Sequence, residues 1–118
     1  MNINGREIGG TNPVYIVAEM SANHNQEFDK AVELVHAAKK AGADAVKLQT
    51  YTPDTITLDS NKEDFLIGEG TLWSGRRLHE LYAEASTPWE WMPRLIDVAH
   101  ELAIDMFSSP FDLSLIHI

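Results

Sequence analysis

Apolar positions along the chain follow the period of a strand in some stretches and of a helix in others. Residues 2–8 alternate around Asn4-Gly5, which is a strong hairpin signal. Residues 14–19 and 104–108 are short apolar runs that end in polar residues, as strands of a parallel sheet do. We therefore predict an N-terminal hairpin and strands at both places.

The segment between residues 25 and 42 has the spacing of an amphipathic helix. Asn25 is a candidate N-cap and Gly42 a natural stop. The apolar positions that recur at helical spacing are Phe28, Ala31, Val32, Val35 and Ala38. This helix leads directly into the next strand.

Two further helices are predicted before the last strand. Residues 76–85 indicate a short one. Thr87 and Glu90 form a capping box that predicts a helix to about Leu102, although Pro93 removes a first-turn hydrogen bond and is expected to strain or kink it. The long connection over residues 51–75 is either functional or a solvated insertion.

Residues 42–50 are predicted to form a buried strand that carries two polar side chains. Its apolar run is interrupted by Lys47, and Gln49 follows on the same face about 6 to 7 Å away. A buried ammonium is costly unless an anion satisfies it, which indicates a ligand site. A lysine that reaches solvent from the strand end is the alternative.

The element order is β-α-β-(α)α-β, which predicts α/β architecture with parallel strands. Polar residues gather where each strand ends: Glu19, then Lys47 and Gln49, then Ser108 and Ser109. Ligands of parallel α/β folds bind at that end of the sheet. The sequence therefore predicts a site there.

Composition narrows the class of protein. The 118 residues carry a formal net charge of −9, which argues against nucleic acid and anionic membranes as partners. An anionic substrate would need a local cationic pocket. There is no cysteine, and neither a signal peptide nor a membrane span is recognisable, so we expect a cytoplasmic protein.

Four motifs resemble the sialic acid synthase family (N-acetylneuraminate synthase-like), and most closely its pseudaminic branch. They are Ala-Glu-Met-Ser-Ala-Asn-His-Asn (18–25), Lys-Leu-Gln-Thr-Tyr-Thr-Pro-Asp-Thr (47–55), Thr-Pro-Trp-Glu-Trp (87–91) and Phe-Ser-Ser-Pro-Phe-Asp (107–112). The resemblance runs from about Ile3 to Ser114. Together the motifs are specific, whereas each one alone would be weak.

The resemblance implies a TIM (β/α)8 barrel, of which residues 1–114 would supply the hairpin and the first three βα strands. The implied reaction joins phosphoenolpyruvate to an open-chain 2,4-diacetamido-2,4,6-trideoxy-altrose, giving pseudaminic acid and phosphate. C3 of phosphoenolpyruvate attacks the aldehyde and water adds at C2. The family also implies a homodimer and a divalent metal of the Mn or Mg type, whose histidine ligands lie outside this chain.

Site residues are carried over by matching positions. The resemblance implies that Lys47 and Ser109 bind phosphoenolpyruvate, that Glu19 is the active-site carboxylate, and that Gln49 reads the sugar. Asn23 and His24 are expected near the sugar.

Other roles are left open. His24 has a loop-ordering hydrogen bond or a metal contact as alternatives to binding the sugar. Tyr51 and Asp54 shape the sugar pocket or only the loop.

The chain also departs from the family. A TIM barrel takes about 250 residues, residues 115–118 do not match, and Pro93 is unusual after its motif. We expect a truncated or frame-shifted reading that is inactive alone, and His117 is not assigned as a metal ligand.

Three alternatives remain. One is an N-acetylneuraminate or legionaminate synthase of the same family. Another is an aldolase-type barrel with a Schiff base on Lys47, and the last is a non-enzymatic binding domain.

Overall fold

The structure is a computed structural model that describes residues 1–115, so residues 116–118 of the predicted tail, including His117, lie outside it. The strands are β1 (Asn2–Ile3), β2 (Arg6–Glu7), β3 (Val17–Glu19), β4 (Ala45–Thr50) and β5 (Asp105–Pro110). The helices are α1 (Phe28–Lys40), α2 (Pro53–Ile56), α3 (Leu78–Ala85) and α4 (Met92–Glu101). No helix within the described range is long and apolar enough to cross a membrane.

Strands β3, β4 and β5 form a parallel sheet in that order, and β1 and β2 form the predicted hairpin. The register places Glu19 beside Lys47, and Gln49 beside Ser109. Because side chains alternate along a strand, these four residues lie on one face of the sheet, here called the open face. The predicted parallel α/β arrangement is therefore present in these residues.

The opposite face of the sheet carries the hydrophobic core. Val46 and Leu48 of β4 pack beneath α1 and α4, whose core-facing residues include Val35 and Leu95. Helix α1 ends where Gly42 adopts a φ of 88° and the amides of Gly42 and Ala43 bond to the last turn. This reversal feeds the chain into β4, as the glycine predicted.

Strand β3 and helix α1 start later than predicted. Strand β3 begins at Val17 rather than at residue 14, because the amide of Ile16 bonds to the Asp44 carboxylate at 2.7 Å. Helix α1 begins at Phe28 with Glu27 as its N-cap residue, whereas Asn25 lies in a turn with a φ of 48°. At β3, a side chain from a separate segment therefore replaces the regular ladder.

The helix predicted to follow Thr87 is also different at its start. A 3-10 turn over Trp89–Trp91 precedes α4, so the Thr87 capping box does not begin a helix. Pro93 lies in the first turn of α4, where the missing N–H has no helical partner to lose. Pro93 therefore helps to begin the helix instead of kinking it.

Charged residues fasten the hairpin to the amino-terminal ends of the strands. Arg6 pairs with Asp44, and both Asn4 and the Tyr15 hydroxyl donate hydrogen bonds to Asp105. Burial, together with the bond to Asp105, raises the pKa of Tyr15 to about 12. The side chain of Asp105 is held in its charged form, because the bond from Tyr15 lowers its pKa. The polar groups at the amino-terminal end of the sheet are thus used in contacts with the hairpin and with Tyr15, whereas those of the carboxyl end are not.

We expect the isolated chain to bind a hydrophobic dye and to self-associate. Val17 and Phe107 lie on the open face and remain 41% and 46% exposed, with no layer of the described residues over them. Size-exclusion chromatography with light scattering, together with dye fluorescence, measures both effects. Phe107→Ser should lower dye binding more than Leu72→Ser. Leu72 is 94% exposed but lies in the connection before α3, outside the apolar surface of the open face. A monodisperse monomer with cooperative unfolding would contradict this prediction and favour a self-sufficient binding domain.

Candidate active site

An ion pair lies at the carboxyl end of the sheet on the open face. Lys47 Nζ is 2.7 Å from Glu19 Oε2, and the backbone amide of Ser21 donates to Glu19 Oε1 at 3.2 Å. The prediction of a buried ammonium is wrong, since the side chains of Lys47 and Glu19 are 33% and 36% exposed. The described residues leave this face uncovered, and the nearest anion to Lys47 is a side chain of the neighbouring strand.

Gln49 and Ser109 lie one step further along the same face. They are register partners on β4 and β5, and neither side chain makes a hydrogen bond to any other part of residues 1–115. Ser108 points to the other face, where its hydroxyl bonds to Thr50 and to the carbonyl of Leu48. Of the two serines at this strand end, Ser109 is the one that shares a face with Lys47.

Lys47 is the only cationic residue among the open-face positions of the three strands. Those positions are Val17, Glu19, Ala45, Lys47, Gln49, Asp105, Phe107 and Ser109. Asp105 lies at the amino-terminal end, where it serves the hairpin. An anion that approaches the carboxyl end of this face therefore meets one ammonium, one amide and one hydroxyl, together with the Glu19 carboxylate that pairs with the ammonium.

His24 is fully buried beneath the β3–α1 loop, with 0% of its surface exposed. Its Nδ1 accepts a hydrogen bond from the amide of Gln26 at 2.9 Å, so the proton lies on Nε2 and is donated to Thr87 Oγ1 at 3.0 Å. Burial lowers the pKa of His24, which favours this neutral form. With both nitrogens bonded, the geometry supports the loop-ordering alternative and gives no support to a sugar or metal contact.

Asn23 is an exposed residue of the same loop, and its side-chain amide donates to the carbonyl of Met20 at 3.0 Å. A contact between Asn23 and the sugar stays a prediction. Gln26 lies on the other side of the loop and donates to the carbonyls of Ala83 and Ser86.

Tyr51 and Asp54 both make structural contacts. Tyr51 is buried and its ring meets Tyr82 and Phe111 edge-on, and burial raises the pKa of its hydroxyl. Asp54 bonds to His79 at 2.9 Å and so links α2 to α3. These contacts support the loop-structure alternative for both residues, and the pocket-shaping role stays a prediction.

The described residues do not fit a metal centre. Between residues 1 and 115, no group of three or more His, Cys, Asp or Glu side chains could hold an ion. The divalent metal remains an expectation about other parts of the protein.

Three contributors to the site were not identified from the sequence. They are the Ser21 amide, the Gln26 side chain and Thr87, whose hydroxyl was assigned to a helix cap. Thr87 and His24 are separated by 63 positions, so only the fold brings them together. Both residues belong to motifs of the family resemblance, but the motifs do not indicate that the two side chains contact each other.

Three parallel strands with helices on one face and an uncovered polar face on the other match the arrangement of part of a TIM-type α/β barrel. The crystal structure of N-acetylneuraminic acid synthetase from Leptospira borgpetersenii, in complex with citrate, superimposes with a TM-score of 0.78 at 26% identity. The match covers 99% of this chain and 36% of that chain. The predicted fold class is confirmed, and the described residues form an open part of the barrel.

Residues 34–118 match the model of the NeuB family, and the chain belongs to that family. It is 54% identical to the pseudaminic acid synthase of Campylobacter jejuni over 98 residues, which is 83% of this chain and 28% of that protein. It is also 54% identical to the pseudaminic acid synthase of Helicobacter pylori, over 84% of this chain and 29% of that protein. The predicted family is confirmed, and the chain spans under a third of the length of these relatives.

Thermal stability should fall as the pH is lowered from about 7 towards 5, partly because of His24. Its folded pKa lies below the usual 6.5, so the unfolded chain binds the proton more readily. The stabilising contribution is complete above about pH 6.5 and is lost as the pH falls towards the folded pKa. The measurement is the unfolding midpoint against pH in the full-length protein.

His24→Gln should flatten this dependence, whereas His36→Gln should leave it parallel to the wild type, since His36 is exposed on α1. Equal slopes for the wild type and His24→Gln would contradict a buried neutral histidine.

Proposed function

We propose that, in the whole protein, this segment forms one wall of a pseudaminic acid synthase site. The substrates would be phosphoenolpyruvate and 2,4-diacetamido-2,4,6-trideoxy-altrose. One observation carries the proposal: the Lys47–Glu19 ion pair stands on an uncovered sheet face beside two polar side chains with no partner among residues 1–115. The identity of 54% to two pseudaminic acid synthases supports this choice of sugar.

Lys47 would bind phosphoenolpyruvate through its charge. An ammonium has three N–H donors and Glu19 engages it from one side at 2.7 Å, so donors remain for a phosphate or carboxylate. A chain with a net charge of −9 repels an anion at long range, and a short-range contact has to compensate. Ser109, on the adjacent strand, would add a hydrogen bond to the same anion.

Glu19 would move a proton during the reaction. When C3 of phosphoenolpyruvate attacks the aldehyde carbon, the aldehyde oxygen gains a proton, and the water that adds at C2 loses one. The resulting tetrahedral intermediate releases phosphate by breaking its C2–O bond. A carboxylate held by the Ser21 amide and Lys47 is suited to either proton transfer.

Gln49 would recognise the sugar. Its amide both donates and accepts, which matches the hydroxyl and acetamido groups of an N-acetylated sugar. It lies two residues beyond Lys47 on β4, so the sugar would lie on the side of phosphoenolpyruvate towards the strand end. The proposal includes a divalent metal and a homodimer, both depending on residues outside this chain.

Lys47→Ala in the full-length synthase should lower kcat/KM for phosphoenolpyruvate by about 10²- to 10³-fold, as the loss of a preorganised charged donor does. Gln49→Ala should act mainly on the KM for the sugar. Steady-state kinetics of phosphate release, varied in each substrate, separate the two effects. Lys62→Ala, an exposed loop variant, should stay within about twofold of the wild type. Wild-type kinetics for Lys47→Ala would contradict the proposal.

A Schiff-base aldolase remains the second candidate, because Lys47 projects from β4 onto the uncovered face of the sheet. A nucleophilic lysine has to lose its proton, whereas Nζ at 2.7 Å from a carboxylate suits an ammonium. We therefore expect borohydride with pyruvate or a sugar aldehyde to leave Lys47 unmodified in a peptide mass map. An adduct on Lys47 would overturn the synthase proposal. Product analysis with altro-, manno- and legionamino-type sugars would distinguish the pseudaminic reaction from its relatives.

A further inference from the structure

The β3–α1 loop is strained. Three of its residues that are not glycine have positive φ: Ser21 at 51°, Asn25 at 48° and Gln26 at 57°. Such conformations persist where the surrounding structure enforces them, and they concentrate at functional sites. The contacts that enforce this loop therefore bear on what the loop does.

Two sets of contacts tie the loop to the last turn of α3 and to the segment between α3 and α4. The first is buried: His24 donates from Nε2 to Thr87 Oγ1 at 3.0 Å, and Thr87 is itself buried. The second is exposed: the Gln26 amide donates to the carbonyls of Ala83 at 2.8 Å and Ser86 at 3.1 Å. The loop is thus held at its centre and at its end.

The beginning of the loop holds the carboxylate of the site. The amide of Ser21 donates to Glu19 Oε1 at 3.2 Å while Glu19 Oε2 faces Lys47 at 2.7 Å. The φ of 51° at Ser21 turns the chain from that amide into the rest of the loop. A displacement of the loop would strain this turn and, through it, the amide that holds Glu19.

We propose that His24 and Thr87 are positioning residues for catalysis. Their buried hydrogen bond holds the strained loop so that the Ser21 amide orients Glu19 against Lys47. His24 acts through the loop and does not touch the substrate. The inference rests on the proposed function, because it assigns Glu19 a part in the reaction.

The test is a double-mutant cycle in the full-length synthase with phosphoenolpyruvate and the altro-sugar. Thr87→Val removes the acceptor at nearly constant volume and should lower kcat by about 10- to 100-fold, since small misplacements near reacting atoms have large effects. Thr87→Ser keeps the hydroxyl and should stay within about threefold of the wild type. Thr11→Val, an exposed position, is the matched control.

The cycle partner is Glu19→Gln. If Thr87 acts through Glu19, the double variant should have the kcat of Glu19→Gln alone within about twofold. A full additional loss in the double variant, or an equal loss in Thr87→Ser, would overturn the inference. The same holds if Thr87→Val is as active as the wild type. A purely structural role would give additive losses.

Two further measurements keep the test decisive. If Thr87→Val does not fold, Gln26→Ala takes its place, because Gln26 is exposed and its removal leaves no buried group unpaired. Nitrogen-15 shifts of His24 should show a neutral ring protonated on Nε2, and protonation on Nδ1 would overturn the inference. A wild-type protein that makes no pseudaminic acid would refute the proposed function, whereas an active wild type with an additive cycle would refute only this inference.

Discussion

The register between β3 and β4 is the constraint on which the site depends. Because Glu19 is the direct neighbour of Lys47 in a parallel ladder, the carboxylate and the ammonium lie on the same face whatever their rotamers. A shift of one residue would send Lys47 into the core, where Val46 and Leu48 now pack. The apolar face that stabilises the sheet and the polar face that carries the site are thus fixed by the same alternation.

Much of the sheet could be predicted because its signals are local. The alternation along residues 45–50, the glycine at residue 42 and the Asn4-Gly5 turn each determine geometry within a few residues. Predictions failed where a distant side chain competes for a local hydrogen bond. Asp44 takes the amide of Ile16 and shortens β3, and His24 takes the hydroxyl of Thr87 that would cap a helix. No sequence period reveals such competition, since both partners come from separate segments.

The same limit applies to the site. Lys47 and Gln49 could be assigned to one face from the strand period, whereas Glu19 and Ser109 were assigned to the same site through matching family positions, and the register places all four on one face. The ion pair between Lys47 and Glu19 could not be predicted, since a sequence does not show which side chains cover a face. Burial was overestimated for Lys47 for this reason, and the alternatives for His24 could not be separated before its burial was known. Exposure is a property of the assembled layers, and one residue's polarity does not determine it.

The Glu19–Lys47 pair also explains how an acidic chain can hold a cationic site without instability. An unpaired ammonium on this face, beside the exposed side chains of Val17 and Phe107, would bind anions nonspecifically and would have no fixed orientation. A carboxylate at 2.7 Å neutralises it and directs it, at the cost of competing with the ligand. Loop strain at Ser21 then matters because the second carboxylate oxygen is anchored there. The ammonium would thus be oriented before an anion binds. The bond from the Ser21 amide would hold Glu19 in place when Lys47 contacts the ligand.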